Sequence, residues 1–202
     1  MNIFFDLDGT LLDSRERLYR LFQYLVKKSG FTFDEYWKLK RQRKVHKQIL
    51  EEQFSYSLTE IDAFEKEWMC QIEEEKWLEL DSPFAGVTVF LNDLQRQNTL
   101  FLVTARQNEA KVLKQIDTFG WTDFFDKVLV TKQLERKYNL LKREVNYTSN
   151  DWIVGDTGED IDTGKKLGIK TAGVLSGFQS REILIKHKPD VLVENVKELK
   201  FY

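Results

Sequence analysis

From Pro83 onward, short apolar runs alternate with stretches long enough for a helix, and this alternation leaves the chain few folds. The runs lie at residues 100–103, 127–130, 152–154, 170–174 and 191–193. They lack the polar alternation of a strand with one wet face, so they read as strands covered on both sides. Helix-patterned spacers fall at 86–97, 108–119, 135–145, 160–167 and 181–186. Parallel neighbours need crossovers of that size, and a βαβ succession implies a parallel sheet. An earlier apolar run, residues 2–5, ends in Asp6-Leu7-Asp8-Gly9-Thr10 and reads as a further buried strand feeding a turn. The expected fold is α/β, a doubly wound parallel sheet of about six strands.

Between residues 14 and 80 the pattern changes. Leu18, Leu21, Phe22 and Leu25 recur at helical spacing, and long amphipathic stretches follow, with Gly30 as the interruption and Asp81-Ser82-Pro83 as the end. The expected organisation is therefore a core of residues 1–13 and 83–202 carrying an inserted helical domain at 14–82, with hinges near Ser14 and Ser82-Pro83. A 202-residue chain can hold one domain with such an insertion, or two modules at most. Hydrophobic residues at 42% exclude a disordered chain. A net charge of −2 gives no global field to recruit nucleic acid or an anionic membrane. No apolar run nears the roughly 18 residues of a membrane span, and no leader pattern is evident. A soluble cytoplasmic protein, monomer or homodimer, is expected. Cys70 sits amid Trp68, Met69 and Ile72 and is expected to fill the core rather than act as a nucleophile.

Polar clusters close several of the strands, where open α/β sheets place their ligands. They are Asp6 to Thr10, then Thr104-Ala105-Arg106, a lysine between 132 and 137, and Gly155-Asp156-Thr157-Gly158-Glu159-Asp160. In Asp6-x-Asp8 two carboxylates would share one face of a strand, whereas a turn lets them diverge around a phosphorus atom. Asp, Gly and Thr are also ordinary turn residues, so that cluster alone reads equally as a turn. Asp156, directly after an apolar strand, is a natural oxygen ligand for a hard cation.

In order and residue type these clusters resemble the four motifs of the haloacid-dehalogenase-like phosphatases, in the phosphoglycolate-phosphatase-like branch with a helical cap domain. The resemblance implies a Rossmann-like core and a magnesium-dependent phosphatase acting on a small phosphorylated metabolite. It makes Asp6 the nucleophile that becomes an aspartyl phosphate, and Asp8 the acid that protonates the leaving oxygen and then the base that activates water. It counts Gly9, which permits the tight turn, and Thr10, which can donate to phosphate or to its neighbouring carboxylate, among the phosphate-binding residues, with Thr104, the Ala105 amide and Lys137 as ligands of the transferring phosphoryl group. Mg2+ would be held by Asp6, the Asp8 backbone carbonyl and Asp156, with Asp160 in support. The lysine that balances these charges is Lys137, with Lys132 and Lys142 competing, because the Lys-Pro dipeptide of many relatives is missing.

Arg106 departs from the small polar residue usual at its position and is expected to bind a second substrate anion or a surface carboxylate. Glu159 and Asp162 suit a solvated helix start. The basic run Lys38, Lys40, Arg41, Arg43, Lys44 and Lys47 has three readings: a solvated helix face, an anion-binding surface for substrate, or a nucleic-acid patch. His46 is expected at the surface within that run and His187 at a helix end. Tyr36, Trp37 and Phe54 would line a pocket or form the core of the helical insertion. Asp8 argues against dehalogenation, since a halide leaves without a proton. A phosphomutase sharing the aspartyl phosphate, and a non-catalytic binding or regulatory module on the same fold, are the alternatives.

Overall fold

The structure is a computed structural model that describes residues 1–201. The chain runs β1 (Asn2–Phe5), β2 (Leu12–Asp13), α1 (Arg15–Leu25), α2 (Phe33–Arg41), α3 (His46–Phe54), α4 (Leu58–Gln71), α5 (Glu75–Leu78) and β3 (Ser82–Pro83). It continues through α6 (Val87–Leu94), β4 (Thr99–Thr104), α7 (Glu109–Thr118), β5 (Lys127–Val130), α8 (Lys137–Glu144) and β6 (Trp152–Gly155). The last elements are α9 (Gly158–Leu167), β7 (Lys170–Val174), α10 (Arg181–Lys186) and β8 (Val191–Val193). Among the described residues no helix is long and apolar enough to cross a membrane.

Six strands form one sheet in the order β5-β4-β1-β6-β7-β8, paired in parallel throughout. The apolar runs are continuous because helices cover both faces. Side chains alternate along β1: Ile3 and Phe5 join a buried cluster with Leu100, Leu102 and Trp121, while Phe4 joins Phe101, Val103 and Ile153 on the other face. The chain winds outward from β1 through β4 to β5, then returns to place β6 on the opposite side of β1. That reversal opens a crevice beyond the carboxyl ends of β1 and β6, the usual ligand position in such sheets.

The inserted helices bury an apolar cluster of their own, containing Leu21, Phe22, Tyr36, Trp37, Phe64 and Trp68. Thr32 with Glu35 and Ser57 with Glu60 form capping boxes that start α2 and α4. Both crossings between insertion and sheet pass through a short antiparallel pair, Leu12 opposite Pro83 and Asp13 opposite Ser82.

Two expectations fail. Cys70 is exposed. The buried stripe of α4 is Ile61, Phe64 and Trp68, and a residue two beyond Trp68 lies roughly 200° around the helix. His46 is half-buried rather than at the surface. Its ring lies 4.1 Å from that of Trp68, and its Nε2 is 2.9 Å from the Tyr36 hydroxyl. Tyr36 and Trp37 are buried in the helical cluster, with Phe54 packed against it.

Candidate active site

Asp6 continues the β1 ladder by donating its backbone N–H to Val154 O at 2.9 Å, which sets its buried carboxylate at the mouth of the crevice. The chain then turns sharply. Gly9 has φ +84°, and a Cβ there would also lie 2.5 Å from Asp156 Oδ2, so both backbone and space require glycine. The turn brings the Thr10 hydroxyl back to donate to Asp6 Oδ2 at 3.2 Å.

Asp6, Asp156 and Asp160 are buried, each offering an oxygen within 4.8 Å of the others. Asp156 follows β6. Asp160 is fixed by the capping box that opens α9: Oδ2 accepts from the Thr157 hydroxyl at 2.6 Å and from its backbone N–H at 3.2 Å. For that reason α9 begins at Gly158, two residues before the helix read from the sequence. Lys137, the first residue of α8, donates to Asp6 Oδ1 at 2.5 Å and to Asp160 Oδ1 at 2.6 Å. Lys132 instead pairs with Glu109 at 3.0 Å on the surface, and Lys142 lies over the Tyr138 ring.

One ammonium does not neutralise this group. Burial pushes the Asp6 carboxyl up to about 7 against the pull of Lys137. Burial, with Asp6 and Asp160 as neighbours, raises Asp156 well above its ordinary value. The same two carboxylates that crowd the site, Asp160 and Asp6, hold Lys137 charged although burial opposes it. Asp156 Oδ2 accepts from the Phe178 N–H at 2.5 Å, but its Oδ1 is buried without a hydrogen-bond partner among the described residues. Excess carboxylate charge and an orphaned acceptor in an all-oxygen setting fit a hard divalent cation.

Asp8 faces a different environment. Arg106 grips it with Nε on Oδ2 at 2.5 Å and Nη2 on Oδ1 at 2.7 Å, and Arg17 Nη2 reaches Oδ1 at 2.5 Å. Although burial opposes ionisation, the guanidiniums of Arg106 and Arg17 hold the Asp8 carboxyl well below the usual range. Arg106 also donates to Asp81 Oδ2 at 3.1 Å and Gln115 Oε1 at 3.2 Å. Arg17 Nε lies 3.0 Å from Asp81 Oδ1, an ion pair without hydrogen-bond alignment. Arg106 therefore pairs with two carboxylates of the site, the half-buried Asp8 and the buried Asp81, not with a surface one.

Thr104 ends β4 with its hydroxyl buried and accepting from the Arg106 N–H at 3.3 Å, while Ala105 is exposed. Glu73, just past α4, accepts from the N–H groups of Gln107 at 2.6 Å and Asn108 at 2.9 Å, tying the helical block to the loop after β4. A cavity of about 260 Å³ collects Asp6, Asp8, Thr104, Ala105, Lys137 and Asp156. Glu159 lines it too and pairs with Arg136 at 3.4 Å, whereas Asp162 is exposed and pairs with His187 at the end of α10.

Sequence reasoning missed Arg17, Glu73, Asp81, Gln115 and the loop after β7. Arg17 had a signal: it stands four residues before Leu21 on the apolar stripe of α1, where an unpaired charge is unexpected. Gln115 likewise sits beside Ile116 on the buried face of α7. In the loop after β7, Ser176 donates to Gly9 O at 2.8 Å, and a Cβ on Gly177 would lie 2.0 Å from Asp156 Oδ2. A serine and glycine just after a strand were the only hint.

A family model described as haloacid dehalogenase-like hydrolase matches residues 3–174. The pyrophosphatase PpaX of Halalkalibacterium halodurans is 24% identical, over 98% of this chain and 94% of the relative. A phosphoglycolate phosphatase of Aquifex aeolicus is 26% identical, over 87% of this chain and 85% of its own length. In structure, a haloacid dehalogenase-like family hydrolase from Streptococcus pneumoniae superposes with a TM-score of 0.78 at 21% identity, covering 96% of this chain and 93% of that one.

Proposed function

The chain belongs to the haloacid dehalogenase-like hydrolase family, and on that premise we propose that it is a magnesium-dependent phosphatase of a small phosphorylated metabolite, with Asp6 as nucleophile. Supporting this reading, its relatives include proteins named as a pyrophosphatase and a phosphoglycolate phosphatase. The observation that carries it is the buried set in which Lys137 bridges Asp6 and Asp160 beside the orphaned oxygen of Asp156.

Asp6, Asp156 and the Asp8 backbone carbonyl would hold Mg2+, with Asp160 supporting. Bound there, the ion would draw negative charge from the transferring phosphoryl oxygens. The Asp6 carboxylate attacks phosphorus, and the bond to the leaving oxygen breaks. Lys137, Thr104 and the Ala105 N–H compensate the charge on the equatorial oxygens. Asp8 gives the leaving oxygen a proton, then takes one from the water that attacks the aspartyl phosphate, and Asp6 is released. As drawn in by Arg17 and Arg106, Asp8 is an anion, the form that accepts a proton. To act first as acid it must exchange an arginine contact for a proton. The helical block at 14–82 serves as the cap over the site, with the β2–β3 pair at its base.

The test is phosphate release from a panel of phosphorylated metabolites, with and without Mg2+, for wild type beside Asp6→Asn. Magnesium-dependent turnover lost in the variant is expected. Turnover that survives both magnesium removal and the substitution would overturn the mechanism.

A further inference from the structure

Next to the catalytic cavity lies a second one of about 520 Å³, and the two share Leu18, Trp68, Met69, Thr157 and Phe178. The basic part of its lining is Lys40, Arg43, Lys44 and His46, from the end of α2 to the start of α3, and Glu65 of α4 lines it too without an ion pair to Lys40. Lys40 follows Tyr36 and Trp37 at helical spacing and so stands on the face of α2 that turns inward. It is half-buried, and no ion pair or side-chain hydrogen bond satisfies its ammonium among the described residues.

Arg43 also lines the cavity without an ion pair among the described residues, but it is exposed, where an unpaired charge costs little. The other cations named around the two cavities are matched. Lys137 holds Asp6 and Asp160, Arg17 and Arg106 hold Asp8 and Asp81, and Lys44 holds Glu52. Lys40 is left with its own burial, which pushes its pKa down to about 8. His46, its neighbour, is held neutral by burial and by the Lys40 charge. A desolvated ammonium without a counter-ion is costly, and here it faces an open cavity continuous with the reacting centre.

We propose that this cavity receives the leaving group of the substrate, a phosphate monoester whose alcohol carries a second anionic group, carboxylate or phosphoryl, that pairs with Lys40. Trp68 and Phe178 would cover the apolar spacer between the two charges. This rests on the phosphatase reading for the end that reacts. It also sets a minimum length. In inorganic pyrophosphate one bridging oxygen joins the two phosphoryl groups, so both would stay in the catalytic cavity, where Asp8 and Asp81 already occupy the guanidiniums of Arg17 and Arg106. Lys40 would gain nothing from it. The basic run thus divides by position: Lys44 and Lys47 pair with Glu52 and Glu51 as a solvated face, while Lys40 points to an anion-binding role.

The experiment is calorimetric binding to Asp6→Asn protein with Mg2+ present, so that nothing turns over. The probes are butane-1,4-diol bisphosphate, 4-(phosphonooxy)butanoate and 4-hydroxybutyl phosphate. At least one anionic-ended probe should bind about tenfold more tightly than the hydroxyl-ended one, the scale of one charge-assisted contact. Which of the two does so identifies the group. Adding Lys40→Gln should remove the preference, and Lys40→Arg should keep it, which separates charge recognition from a folding defect. No preference in the Asp6→Asn protein, or one that survives Lys40→Gln, overturns the proposal. A preference lost with Lys40, in an enzyme whose wild type releases phosphate from none of the probes or metabolites, keeps the anion subsite and overturns the phosphatase reading instead.

Discussion

Replacing Lys137 with methionine isolates the central electrostatic claim, because the substitution keeps an unbranched apolar stem and removes one charge. Lys137 is 4% exposed, and its ammonium lies 2.5 Å from Asp6 and 2.6 Å from Asp160. Without it, three carboxylates within 4.8 Å of one another have no cation. Breaking a buried ion pair by removing one partner costs about 3–5 kcal/mol. Protonation relieves part of that cost at about 1.4 kcal/mol per pH unit. The sign follows from linkage: burial raises the Asp6 carboxyl and Lys137 is what pulls it down, so losing the lysine raises Asp6 further, the folded protein keeps a proton that the unfolded chain has shed, and stability falls as pH rises. The loss should therefore approach the upper figure at pH 8 and shrink towards pH 5. For a chain of this size, about 2–4 °C per kcal/mol, the midpoint at pH 8 should drop by about 6–20 °C. The assay is thermal unfolding followed by circular dichroism in EDTA. Lys132→Met is the control, since that exposed pair with Glu109 should change stability by no more than about 0.5 kcal/mol. Equal losses at pH 5 and pH 8, or a Lys132 variant as damaged as the Lys137 one, would refute the reasoning.

Three further outcomes are expected. Gly177→Ala places a Cβ 2.0 Å from Asp156 Oδ2; it should cost about 1–3 kcal/mol of stability and weaken magnesium binding about tenfold or more, read by titration calorimetry. Magnesium should raise the melting midpoint more at pH 8 than at pH 5.5. Burial raises Asp6 from its ordinary 3.8 to about 7, so metal-free stability falls as pH climbs through that window, and a cation replaces the missing proton; a magnesium-induced shift independent of pH would count against the site. Glu73→Ala releases the N–H groups of Gln107 and Asn108; their hydrogen exchange should quicken at least tenfold while exchange along β4 is unchanged, and unaltered rates would show that this tie does not hold the loop.

Much of the fold was legible because its signals are local. Strands β1, β5, β7 and β8 have the limits read from their apolar runs, and β4 and β6 extend theirs by one or two residues. The grouping of Asp6, Thr104, Lys137 and Asp156 was legible too, since each closes a strand or opens a helix at one edge of a parallel sheet. Other features depended on contacts between distant segments. Lys132 and Lys137 are equally basic on paper; only the start of α8 beside β1 and β6 sends one to Asp6 and leaves the other on Glu109. Cys70 looked apolar from its neighbours, yet two positions along a helix point to opposite sides.

By itself, then, the sequence determined the layer architecture, the place of the helical insertion and the identity of the carboxylates at the crevice, because periodicity and strand-end position are properties of short segments. Tertiary structure alone decided that Arg17 from α1 and Arg106 after β4 close on Asp8, that Gly177 and Phe178 wrap Asp156, and that Lys40 is left without a partner among the described residues. Each of these depends on charges brought together across long separations in sequence. Burial there sets both the cost of an unpaired group and the strength of a paired one, and burial is a property of the folded whole.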